Sequence, residues 1–169
     1  MSDNQTKEIL GYWLDAIGQT MSALAITPSI LKDNDLSLQL DLWGNVLQGT
    51  GTALVADIEE TFTFDKLGNQ LESIGNLVTV MGILAPFSEE EKKELEKKGD
   101  MIETLGVIVS LPDELKDGFT LELFFDVYGH LLSVVEFKEV DEELIDIIAE
   151  WSQVIAAILS LMNAMKVES

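Results

Sequence analysis

The sequence predicts an all-α protein: three tandem helical hairpins, about six amphipathic helices, forming a compact bundle or short solenoid. Glycine recurs in pairs seven residues apart, at Gly11 and Gly18, Gly44 and Gly51, Gly68 and Gly75, and Gly99 and Gly106. Residues between and beyond the glycines match as well. Leu14, Leu47, Leu71 and Ile102 stand three after the first glycine, and Met21, Leu54, Val78 and Val109 ten after it. Such offsets share one face of a 3.6-residue helix, whereas a period of two would put both glycines of a pair on opposite faces of a strand. Third, alternate copies recur at intervals of 53 to 61 residues, so the repeating unit is a pair of helices, with units near 1–57, 58–112 and 113–169 of a single domain.

The helices are expected near 6–25, 34–57, 65–84, 89–110, 114–136 and 141–165. The first and third end at Pro28 and Pro86, because proline disfavours helix at the residue before it. The second, fourth and sixth open on acids, at Asp33-Asn34-Asp35, Glu89-Glu90-Glu91 and Asp141-Glu142-Glu143, which suit the positive end of a helix dipole. Glu59 to Phe64 reads as a loop or an extra turn. Two weaker copies complete the six, one starting at Gly129 with Leu132 and Val135, the other at Ser152 with Ile155 and Ile158.

Each helix carries an apolar stripe bordered by glycine and a polar opposite face: Tyr12, Asn45, Asn69, Asp100 and His130 one residue after the glycine, Asp15, Gln48, Glu72 and Glu103 four after it. Glycine within a helix costs about 1 kcal/mol relative to alanine. Close backbone approach would offset that loss, so Gly11, Gly18, Gly44, Gly51, Gly68, Gly75, Gly99 and Gly106 are read as helix-packing positions, with neighbours burying each other's faces. Tyr12, Trp13, Trp43, Tyr128 and Trp151 cluster near the marker positions. Core packing is the first reading of these aromatics and a partner-facing patch the second.

The chain has 31 acidic residues against ten lysines, no arginine and a net charge of −21. Such a surface repels nucleic acid and anionic headgroups. There is no cysteine, which removes disulfides, thiolate catalysis and cysteine-held metals. The N-terminal MSDNQTKEILGYW lacks the basic start and apolar block of a signal peptide. Charge-free runs such as Ala16 to Leu31 and Ser73 to Ser88 fall short of the roughly 20 apolar residues of a spanning helix. A cytoplasmic location is expected on these grounds.

Chemistry-bearing motifs are scarce. His130, the one histidine, follows Glu122 and Asp126 at helical spacing, but Glu-x-x-His is absent, and a solvated or helix-pairing role outweighs a metal ligand. Neither Gly-x-Ser-x-Gly nor a phosphate loop occurs. The run of Lys92, Lys93, Lys97 and Lys98 among glutamates reads as an exposed helix. No catalytic residue, cofactor or metal ligand is assigned.

The blocks LDAIGQTMSALAITPS, GNVLQGTGTAL and GNQLESIGNLVTVMGIL resemble a family of uncharacterised repetitive helical proteins of bacilli, which carry many copies of a Gly-Asn/Thr-x-hydrophobic-Gln/Glu-x-hydrophobic-Gly unit. The resemblance covers most of residues 8–110 and implies a bacterial source. It brings no activity and no site. The expected function is therefore non-catalytic, through protein–protein contact or self-association. A membrane-active or apolar-ligand-binding protein is the alternative, and a metal-dependent enzyme near His130 the third.

Overall fold

A computed structural model describes residues 3–135 and 140–166, with only the backbone of Asp117. The described residues form six α-helices: α1 (Asp3–Ala25), α2 (Asn34–Ile58), α3 (Phe64–Leu84), α4 (Glu89–Glu114), α5 (Leu121–Val134) and α6 (Glu142–Lys166). No strand occurs among the described residues.

Short polar side chains start the helices. Asp33 accepts from the backbone N–H groups of Asp35 and Leu36, Thr63 from Lys66 and Thr120 from Leu123. Ser88 and Glu91 form a reciprocal capping box at the head of α4. Glu59 to Thr63 is a loop rather than an added turn.

The expected boundary between the fourth and fifth helices is wrong by several residues. α4 does not stop at residue 110 but continues through Pro112 to Glu114, and a 3₁₀ turn, Leu115–Asp117, follows. Proline in the last turn removes one hydrogen bond without breaking the coil. The Asp113 carboxylate then accepts from the backbone N–H groups of Phe64 and Asp65, at 2.6 and 3.1 Å, tying the end of α4 to the start of α3. Gly118 reverses the chain with a φ of 97°, a conformation open to glycine. α5 therefore begins at Leu121 instead of 114, and its expected end at residue 136 lies outside the described residues.

Each helix packs on the next, and α6 returns to pack on α1, so the three antiparallel hairpins close into a ring. The glycines lie at the tightest seams. A Cβ placed on Gly51 would stand 2.5 Å from the carbonyl oxygen of Gly11, and one on Gly11 would stand 2.9 Å from that of Gly51. Gly18 and Gly44 repeat this reciprocal contact on the same seam, at 2.6 and 2.9 Å. Gly68 with Gly106 and Gly75 with Gly99 do the same between α3 and α4, at 2.7 to 2.9 Å. In the third hairpin Gly129 takes the place of Gly18, the second glycine of its pair, and Ala149 that of Gly44, so the last two copies do not start at Gly129 and Ser152 as expected; a Cβ on Gly129 would stand 2.8 Å from the Ala149 carbonyl oxygen. Hydrogen bonds cross the remaining joints: Ser73 Oγ to the Gly49 carbonyl (2.8 Å), Thr104 Oγ1 to the His130 carbonyl (2.9 Å) and Trp151 Nε1 to Thr27 Oγ1 (3.1 Å).

Which face turns inward is the largest departure from expectation. Buried positions are mostly small or polar: Gln19, Gln48, Asn76, Glu103, His130 and Gln153 are all under 9% exposed. The large apolar side chains turn out. Ile17, Ile74, Leu77, Met81, Met101 and Ile158 are each more than 40% exposed. Trp13, Trp43 and Tyr128 lie outside as well, at 47%, 56% and 41%, so core packing fails for them. Tyr12 and Trp151 are half-buried. Glycine seams run tangentially around the ring and leave each helix with an inner and an outer face. The polar face is the inner one.

Candidate functional site: an acidic lumen

The inner faces enclose two chambers, of about 500 Å³ and about 360 Å³, each lined from all six helices. His130 and Gln153 line both and mark where they meet. The smaller chamber holds Asp15, Asp65, Glu72, Glu114, Glu122 and Asp126, and no lysine. Asp41, Asp100, Glu103, Asp146 and Glu150 line the larger one, with Lys93 and Lys97 at its outer end.

Helical spacing stacks these acids in tiers. Asp65 and Glu72 are two turns apart on α3, as are Glu96 and Glu103 on α4, and Glu122, Asp126 and His130 climb α5 in steps of four. In the middle tier Asp15, Glu72, Glu103 and Asp126 face one another across the lumen and His130 stands among them. The imidazole is fixed by its own helix. Nδ1 lies 3.0 Å from the Asp126 carbonyl oxygen and 3.3 Å from its carboxylate. Gln48 Nε2 donates to Ser22 Oγ at 3.0 Å.

Two oxygens in the lumen have no donor: Gln19 Oε1 in the smaller chamber and Glu150 Oε2 in the larger. Buried acceptors are nearly always satisfied, and a cation or ordered water would complete both. No group of three acidic or histidine side chains among the described residues converges closely enough to chelate a bare metal ion.

At the mouth of the smaller chamber two carboxyls hold their protons unusually well. Burial, a hydrogen bond to Glu59 and the Glu59 charge push Asp65 up to about 6. Glu114 is raised to about 7, again mainly by burial, with the charges of Asp126, Asp65 and Glu122 adding to it. On the exposed ends the shifts reverse. Lys7 holds Asp57 below the usual carboxylate range, Lys116 and two backbone N–H groups do so for Asp113, and Ser88 does so for Glu91.

Outside, charge is absent from a central belt. The stretches 10–26, 42–56, 67–84, 99–111, 123–134 and 147–165 contain seven acidic or basic residues, tyrosine aside: Asp15, Glu72, Asp100, Glu103, Asp126, His130 and Glu150. Every one of the seven lines a chamber. All the lysines fall outside these stretches. Among the described residues one helix, α6, is long and apolar enough to cross a membrane by length and composition, although Glu150 interrupts its charge-free run.

Sequence reasoning singled out the glycines, read the aromatics first as core and assigned no role to Asp15, Glu72, Glu103 and Asp126, which the fold brings together. The four-residue offset that repeats in Asp15, Gln48, Glu72 and Glu103 was the available signal. The model of a family of unknown function, DUF6944, matches residues 6–161. No curated protein and no solved structure matches the chain.

Proposed function

The chain belongs to the family of unknown function DUF6944, and we propose that it is a bilayer-inserted helical barrel with an acidic lumen. A single observation carries this reading: within the central belt every charge lines the lumen, and the outer surface is apolar on all six helices. That inverts the pattern of a water-borne bundle and matches the rule for hydrocarbon surroundings, where ionisable groups face the bundle interior.

The occupant of the outer surface follows from its shape. A second copy of the chain would cover one side of the ring, whereas lipid covers a belt on all sides. At 1.5 Å per residue the belt segments span about 18 to 28 Å, against a hydrocarbon core of about 30 Å, so the bilayer would thin locally, most of all at α5, where the shortfall is about 12 Å. Small residues at the seams serve helix packing in lipid as well, where close backbone approach supplies the contact energy. Helix ends carry the lysines, including the ion pair of Lys7 with Asp57 at 2.6 Å.

Flotation tests the reading. The purified protein is mixed with neutral phosphatidylcholine vesicles and centrifuged through a density gradient, then washed with carbonate. Recovery in the vesicle layer after the wash, with tryptophan fluorescence of exposed Trp13 and Trp43 quenched by brominated lipid, is expected. A protein that stays in the aqueous layer overturns it, and a defined oligomer there would assign the apolar belt to copies of the chain instead.

A further inference from the structure

We propose that the lumen passes hydrated monovalent cations, and that the middle tier of Asp15, Glu72, Glu103 and Asp126 selects them over anions. This inference rests on the bilayer reading above, which supplies the two compartments.

Three observations on different footings converge. First, the ring has no missing wall, and the two chambers lie in one lumen and share His130 and Gln153 as lining residues. Second, the titratable side chains that line the lumen are acidic over most of its length. The smaller chamber has six carboxyl groups and no lysine, and a low-dielectric wall focuses such a field onto the passage. Third, Gln19 is only 7% exposed, lines the smaller chamber, and leaves Oε1 without a donor. An unpartnered amide oxygen beside acidic side chains is an acceptor that a cation or a water molecule would complete.

Ion type follows from the spacing. A dehydrated divalent ion needs six to eight oxygens at 2.3 to 2.6 Å for calcium, or a tight octahedron for magnesium. No described group of side chains gathers that way. Carboxylates placed around a chamber of about 360 Å³ attract a cation through its water shell. Rings of acidic side chains act so in cation channels, where binding must be weak enough to release the ion. His130 is the one basic group in the middle tier. Facing it are Asp126 from α5, Glu72 from α3, Glu103 from α4 and Asp15 from α1, so the negative groups outnumber it. Lys93 and Lys97 stand at the far end of the larger chamber, away from the tier.

The test uses the full chain reconstituted into phosphatidylcholine vesicles, with flotation run on every sample so that insertion and permeation are read separately. Vesicles loaded with potassium chloride are diluted into an impermeant buffer, and potassium and chloride release are followed in parallel with ion-selective electrodes. Potassium release well ahead of chloride is expected. The variant Asp15→Asn, Glu72→Gln, Glu103→Gln, Asp126→Asn should float as the parent does and lose the preference for potassium. Gln19→Lys, a second variant that leaves the tier intact, places a fixed cation in the chamber that lacks one and should sharply reduce potassium release. Vesicles that carry the protein but retain potassium overturn the inference while leaving the bilayer reading in place. So does release of both ions alike that none of these substitutions changes. Failure to float overturns both.

Discussion

Adding a single methyl group at Gly51 should destabilise the protein, although helix propensity alone argues the opposite. Alanine is better than glycine in a helix interior by about 1 kcal/mol. Geometry decides the sign. The new Cβ would stand 2.5 Å from the Gly11 carbonyl oxygen and 2.8 Å from the Asp15 backbone nitrogen. Carbon needs about 3.5 Å from such atoms. Both obstacles are backbone, so no rotamer change relieves them, and α1 and α2 must separate by roughly 1 Å at that level. Overpacking of this kind costs about 1 to 3 kcal/mol, and parting the seam also loosens the reciprocal contact at Gly11. We therefore expect Gly51→Ala to lower stability by about 1 kcal/mol net, the difference of those two effects. Gly82→Ala is the internal control. Its Cβ would meet Leu95 Cβ at 3.2 Å and the Lys92 carbonyl at 3.4 Å, an adjustment of a few tenths of an ångström, so propensity should prevail and the variant should equal or exceed the parent. Thermal unfolding in mild detergent, followed by circular dichroism, reads both. If Gly51→Ala matches Gly82→Ala in raising the midpoint, the seam is not tight and the account of the glycine pairs is wrong.

Two further outcomes are expected. Asp65 and Glu114 bind protons in the folded state that the unfolded chain releases near its ordinary values of 3.8 and 4.5. Their contribution is complete below about pH 4 and is lost as pH rises through about 6 to 7. The unfolding midpoint should fall over that interval, and Asp65→Asn with Glu114→Gln should flatten the slope; an unchanged slope would show that these two carboxyls titrate normally. Ser88→Ala removes one half of the capping box at α4 and should cost about 1 kcal/mol, with faster amide exchange confined to the first turn. Uniform loss of protection across the ring would contradict a purely local role.

Much of this architecture was legible from residue spacing. Glycine pairs seven apart specify a helix and place two small residues one above another, and the proline and acid punctuation located most helix ends. The end of the fourth helix was placed at residue 110 and fell short, because Pro112 lies in the last turn, where one missing hydrogen bond leaves the coil intact and α4 runs on to Glu114. The orientation of the faces was not legible. An amphipathic stripe is symmetric information: it says that two faces differ and leaves open which one meets the surroundings. Expecting the apolar side chains to turn inward put Trp13 and Trp43 first in the core, where the structure does not. The middle tier went unassigned for a related reason. Asp15, Glu72, Glu103 and Asp126 are isolated along the chain, and only closure of the ring makes them neighbours.

That closure, made where α6 returns to α1, sets the bore. In an open array the number of hairpins changes length alone, and the cross-section stays constant. Around a circle, every added hairpin would widen the opening, while two hairpins would leave a four-helix core with no interior to speak of. Three is thus the smallest count that leaves space along the axis, and a chain joined from four such units would be a wider vessel rather than a longer one.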